Sequence, residues 1–183
     1  MNPRWFLPFT HGVDMRAIDY LVSLAENNGA TLITVSLISV PNHSRSGGAR
    51  LEHIQQSKDF LEAVKYKSAR LQVPVERYEV FTSEVIQSIA TLVHDLHCDG
   101  IVMVAVEDKE VLLRAHELKQ LLVEPPVSLV LIRLPAHSQE VRAFYLGARF
   151  LSWLRRLWRY RVDIGPVKNV LEAENVSQIK AGE

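Results

Sequence analysis

The feature that most constrains this chain is a change of hydrophobic period, from strand-like to helix-like and back, repeated along its first 135 residues. Trp5 to Phe9 is a short apolar run that ends in Thr10-His11-Gly12, the pattern of a buried strand running into a turn. Asp14 then stands ready to cap a helix whose apolar positions, Ile18, Leu21, Val22 and Ala25, recur at helical spacing; Asn28-Gly29 supplies its stop. Thr31 to Val40 is a β-branched run closed by Pro41. Asn42 to Gly48 is polar and contains Gly47-Gly48, which predicts a loop. A longer helix is predicted from Ala49 to about Leu71, with Leu51, Ile54, Leu61, Val64 and Leu71 inward and Pro74 beyond its end.

The alternation continues. Val75 to Phe81 interleaves apolar and charged residues, as in a partly exposed strand. Ser83 is placed to cap a third helix carrying Val85, Ile86, Ile89, Ala90, Val93 and Leu96. Ile101 to Val106 is uninterrupted and apolar, the pattern of a central parallel strand. Glu107 and Asp108 are expected to open a fourth helix through Val111, Leu112, Leu118, Leu121 and Leu122. Pro125-Pro126 breaks it, and Val127 to Ile132 is the last strand. Strands that alternate with helices connect by right-handed crossovers into a parallel sheet. The prediction is therefore an α/β domain over residues 1–137, an open five-stranded, mostly parallel sheet with helices on both faces.

These boundary residues resemble the universal stress protein family over roughly residues 4 to 135. Arg4-Trp5-Phe6-Leu7-Pro8-Phe9 looks like that family's opening strand, and Ala30-Thr31-Leu32-Ile33-Thr34-Val35 like its second. Asp99-Gly100-Ile101-Val102-Met103-Val104 is similar to its fourth, and Pro126-Val127-Ser128-Leu129-Val130-Leu131-Ile132 to its fifth. The resemblance implies a family divided between members that bind ATP and members that do not. Binding members have an aspartate just after the first strand, where this chain has Thr10. Their glycines after the fourth strand fall here on Val104, Glu107 and Glu117, with Leu118 at the hydroxyl position. No glycine stands between Gly100 and Gly147. A phosphate cradle needs exposed backbone N–H groups that glycine lets an anion approach. Glu107, Asp108 and Glu110 instead place carboxylates there, so no cofactor is expected. The resemblance further implies a homodimer through the last strand, Val127 to Arg133, as a cytoplasmic stress-response module.

The carboxyl ends of the strands are where an open α/β sheet takes a ligand. Thr10, His11, Gly12 and Val40 lie there, and Gly47-Gly48 forms the one glycine-rich stretch before a helix; together they make the candidate ligand site of a rearranged nucleotide-binding sensor or enzyme. His94 and His97, three apart beside Cys98, have a spacing open to a transition metal, but their position at a helix end suits the dipole, and no metal is expected. No catalytic set is recognisable: there is no nucleophile elbow and no paired-histidine signature. A single cysteine, Cys98, excludes an internal disulfide.

Charge separates the chain into parts. The 21 basic and 21 acidic residues cancel overall, yet residues 1–140 carry 13 basic and 17 acidic, and residues 141–162 carry six arginines and no acid. Plotted at about 100° per residue, Arg142, Arg149, Arg155, Arg156 and Arg159 fall on one arc, while Phe144, Leu146, Phe150, Trp153, Leu157 and Trp158 cover the other. This predicts a basic amphipathic helix over 138–162, followed by a polar tail over 163–183. Arg142, Arg149, Phe150, Trp153, Arg156, Leu157, Trp158 and Arg159 would meet a protein surface or an anionic membrane, with nucleic acid ranked below both. The opening Met1-Asn2-Pro3-Arg4 lacks a signal-peptide pattern, and no run reaches the roughly 18 apolar residues of a membrane span. The expected location is cytoplasmic, with a peripheral place on the inner face of a membrane open to it.

Overall fold

The computed structural model describes residues 2–40, 49–106, 111–134 and 142–146, the last five by their backbone. Strands β1 (Arg4–Phe9), β2 (Thr31–Ser39), β3 (Val75–Thr82), β4 (Gly100–Val106) and β5 (Leu129–Leu134) alternate with helices α1 (Met15–Asn28), α2 (Leu51–Arg70), α3 (Val85–Asp95) and α4 (Ala115–Val123). A sixth strand, β6 (Arg142–Leu146), follows. The sheet order is β3-β2-β1-β4-β5-β6. The first five strands are mutually parallel, and β6 runs antiparallel to β5 with Leu129 opposite Leu146 and Arg133 opposite Arg142.

Burial on both faces explains the continuous apolar strands. Trp5, Leu7 and Phe9 pack with α1 and α2 through Ile18, Leu21, Phe60 and Val64. Phe6 points the other way, into a second core with Ile33, Val35, Ile89, Val93 and Leu121 from the α3 and α4 side. The rings of Phe9 and Phe60 stack at 4.2 Å, 6° from parallel. β3, an edge strand, has no fully buried residue and exposes the charges of Arg77 and Glu79, which discourage further strand pairing.

The α1 boundaries follow directly from sequence chemistry. Asp14 Oδ1 accepts from the Arg16 N–H at 2.8 Å and the Ala17 N–H at 3.4 Å, and Gly29 ends the helix at φ 58°. Three boundaries differ from expectation. The N-cap of α3 is Glu84 rather than Ser83, with Thr82 Oγ1 accepting from the Glu84 N–H at 2.9 Å. Helix α4 begins at Ala115, after Arg114, while the carboxylates Glu107, Asp108 and Glu110 lie outside the described residues. Residues 142–146 are strand rather than the start of an amphipathic helix. A five-residue run with Phe144 and Tyr145 suits a strand once β5 offers a backbone ladder. The outer side of β5 is not bare, because β6 already uses its hydrogen-bonding groups.

Candidate functional site

The sheet order reverses direction between β1 and β4, and the crevice outside their carboxyl ends is the ligand position of an open α/β sheet. The β1–β4 ladder is short: it registers Trp5 with Gly100 and Phe6 with Ile101 and goes no further. Pro8, two residues on, has no N–H with which to extend a ladder. The segment Val111–Leu113 enters above that point. Val111 and Leu112 join the α1/α2 core and Leu113 joins the α3/α4 core, so three consecutive side chains seal both sides of the sheet's upper edge.

The backbone of this segment is tied to the turn after β1. The N–H groups of Thr10 and His11 donate to the Leu112 carbonyl at 2.6 and 3.2 Å, and the Leu112 N–H donates to the Gly12 carbonyl at 3.1 Å. Gly12 adopts φ 71°, which a glycine accepts freely, whereas Leu112 adopts φ 65° with its side chain 1% exposed. The Thr10 hydroxyl donates to Glu117 Oε2, which also accepts from the Arg114 N–H at 2.9 Å. Glu117 is 4% exposed, so these two bonds are what make its burial tolerable.

Around this latch lie basic side chains that have no ion pair among the described residues. His11 is half-buried, and its Nδ1 is shielded from solvent without a hydrogen-bond partner. Arg50 and His53 occupy the N-cap and first turn of α2, and Arg114 precedes α4. Burial holds the His53 imidazole below its usual range, reinforced by Arg114, Arg50 and His11, with Glu52 opposing. The structure thus brings Thr10, His11 and Gly12 together at the site, with Val40 at the carboxyl end of the neighbouring β2. Gly47 and Gly48 lie outside the described residues, as do Arg149, Phe150, Trp153, Arg156, Leu157, Trp158 and Arg159; Arg142 opens β6. Sequence reasoning placed Arg50 beside the Gly47-Gly48 stretch as a conceivable oxyanion contact but missed His53, Leu112, Arg114 and Glu117. Their one available signal was position, since each lies in or just after a strand-to-helix connection.

The opposite end of the sheet carries a different set. Arg4 donates to both oxygens of Glu76 at 2.7 and 3.1 Å and to the Leu96 carbonyl at 3.1 Å, and its own N–H meets Asp99 at 2.7 Å. Tyr78 donates to Glu76 at 3.0 Å. Burial pushes the nearby Cys98 thiol up to about 11, which makes it a poor nucleophile. His94 and His97 are exposed, and the described residues hold no group of three metal-ligating side chains.

The universal stress protein family model matches residues 12–127. The chain belongs to the universal stress protein family. A universal stress protein family structure from Burkholderia pseudomallei superposes with a TM-score of 0.56 at 15% identity, covering 70% of this chain and 94% of that one. The Archaeoglobus fulgidus universal stress protein in complex with dAMP gives 0.51 at 12% identity, covering 72% and 97%. A family protein from Arabidopsis thaliana with AMP bound gives 0.52 at 12%, covering 75% and 96%. No match was found among curated proteins. These structures share the family's α/β fold with this chain, including its five-stranded parallel sheet.

Proposed function

We propose that this protein is a non-catalytic regulatory or interaction module of the universal stress protein family whose nucleotide crevice is sealed by its own chain. One observation carries the reading: the two backbone N–H groups at the end of β1 are both committed to the Leu112 carbonyl. Amides used in this way cannot also bind a nucleotide in the crevice between β1 and β4. Relatives solved with dAMP or AMP mean that the fold itself is no obstacle, so the difference rests on residues. Titration calorimetry tests this. ATP is expected to bind no more tightly than inorganic tripolyphosphate, the adenosine moiety contributing nothing. A stoichiometric micromolar ATP complex that tripolyphosphate cannot displace overturns the reading.

The interaction surface in this reading is the run 147–162, which retains five arginines with Phe150, Trp153, Trp158 and Tyr160 and no acid. Among the described residues no helix is long and apolar enough to cross a membrane, so contact with lipid would be peripheral. Liposome flotation of the full chain against residues 1–146 separates lipid from protein contact. In the same reading self-association at the β5 end of the sheet proceeds through β6 or by displacing it. Truncation after Leu134 bares β5 and is expected to shift the protein toward dimers or larger species in light scattering; an unchanged mass removes that edge as an interface.

A further inference from the structure

Three adjacent strands, β2, β1 and β4, lead at their carboxyl ends to α2, α1 and α4, and each connection delivers a nitrogen-rich side chain to the same edge. His11 comes from the β1 turn, Arg50 and His53 from the opening of α2, and Arg114 from the opening of α4. Arg50 and His53 are three apart at a helix start and therefore share a face. None of the four side chains has a hydrogen bond or ion pair among the described residues, although the other arginines from β1 to β5 with a described environment, Arg4, Arg16, Arg70, Arg77 and Arg133, each have a partner of some kind. The Arg114 backbone N–H is tied to Glu117, which fixes where that side chain departs while leaving the guanidinium unused. The buried, unpartnered Nδ1 of His11 adds a polar atom that the fold does not satisfy.

We propose that His11, Arg50, His53 and Arg114 form a binding site for a phosphate group, free or carried by a small ester. Two guanidiniums match the charge of a phosphate dianion, and their planar forks suit its oxygens. The two imidazoles add N–H donors. This site uses side chains in place of a glycine-lined backbone cradle, so it coexists with the sealed crevice on which the module reading rests. It asks nothing of a base or a sugar.

The test uses the full chain with inorganic phosphate, glycerol phosphate and adenosine as probes. Calorimetry is expected to show one saturable site for phosphate, no binding of adenosine, and at least about ten-fold weaker phosphate binding in Arg50→Gln and in Arg114→Gln. Glycerol phosphate binding more tightly than the free ion supports the site and assigns it to an ester, while equal or weaker binding supports it and assigns it to the ion. Arg70→Gln, at the far end of α2 about 30 Å away, should leave binding unchanged. The His53 ring, followed by NMR, should titrate at a higher pH once phosphate saturates the site. Absence of saturable binding overturns the proposal, and so does equal loss in Arg70→Gln. Either result leaves the module reading standing, whereas adenosine-dependent ATP binding overturns that reading and not this site.

Discussion

The two ends of β1 both gather charge, and they treat it in opposite ways. At the amino end Arg4 is matched to Glu76, Leu96 and Asp99, with Tyr78 closing the set on Glu76, so the charges are spent on holding β1, β3 and the α3–β4 turn together. At the carboxyl end Glu117, the one buried carboxylate among the described residues, is taken by the Thr10 hydroxyl and the Arg114 N–H, and the side chains of His11, Arg50, His53 and Arg114 have no hydrogen bond or ion pair among those residues. Mutual repulsion among cations is unfavourable to folding, and a fold gains nothing from it unless something else arrives. Matched charge marks where the molecule is built, and the unmatched set is where the proposed phosphate site would lie.

Substitutions can break that contrast, and the largest effect belongs to the buried carboxylate. Glu117→Ala leaves the Thr10 hydroxyl and the Arg114 N–H without a partner and should cost about 2–3 kcal/mol, read as a lower urea midpoint. A loss below about 0.5 kcal/mol would mean that the latch does not depend on it. Arg4→Met comes next at the other end. Its side chain is 32% exposed and that of Glu76 39%, so solvent screens the pair and the cost should be about 1 kcal/mol in chemical denaturation despite the bidentate geometry.

Acid sharpens the contrast further. The Arg4 hydrogen bonds hold the Glu76 carboxyl below its ordinary 4.5. That contribution is complete above pH 4.5 and is lost as pH falls through the lower folded value. His53 is a base held below 6.5, so the unfolded chain takes up its proton first and stability begins to fall below pH 6.5. Melting temperature against pH should therefore lose its lower step in Glu76→Gln and its upper step in His53→Gln; swapped steps would reverse the assignment. The smallest effect is the most informative. Arg50→Gln combined with Arg114→Gln should change stability by no more than about 0.5 kcal/mol, since neither guanidinium holds the fold, and a large loss would show that the two ends are not different after all.

The strands and helices were legible because their signals are local. Asp14, Gly29 and the apolar spacing between them are enough to write α1, and Ile101 to Val106 announces a strand buried on both faces. Two elements were misjudged where a local signal competes with a distant partner. Glu107 and Asp108 look like a helix start, yet Leu112 and Leu113 are needed to close the sheet's upper edge, which delays α4 to Ala115. Arg142 to Leu146 fits a helical arc and a strand equally well over five residues, and only the waiting edge of β5 decides between them. The site was half visible. Thr10, His11 and Gly12 are read from the end of β1, but Arg50 and Arg114 stand 39 and 103 residues beyond His11. They meet it through parallel crossovers that no local pattern records.

The bridge between His11 and Leu112 joins two connections that belong to different halves of the sheet. Surface connections ordinarily open by themselves, and their amides exchange with solvent within the native state. Here the amide protons of Thr10, His11 and Leu112 close a single pair of opposed backbones over buried leucine side chains. They should exchange together and slowly, at the rate of the central strands, so that deuterium labelling would place these loop amides inside the last cooperative unit to open.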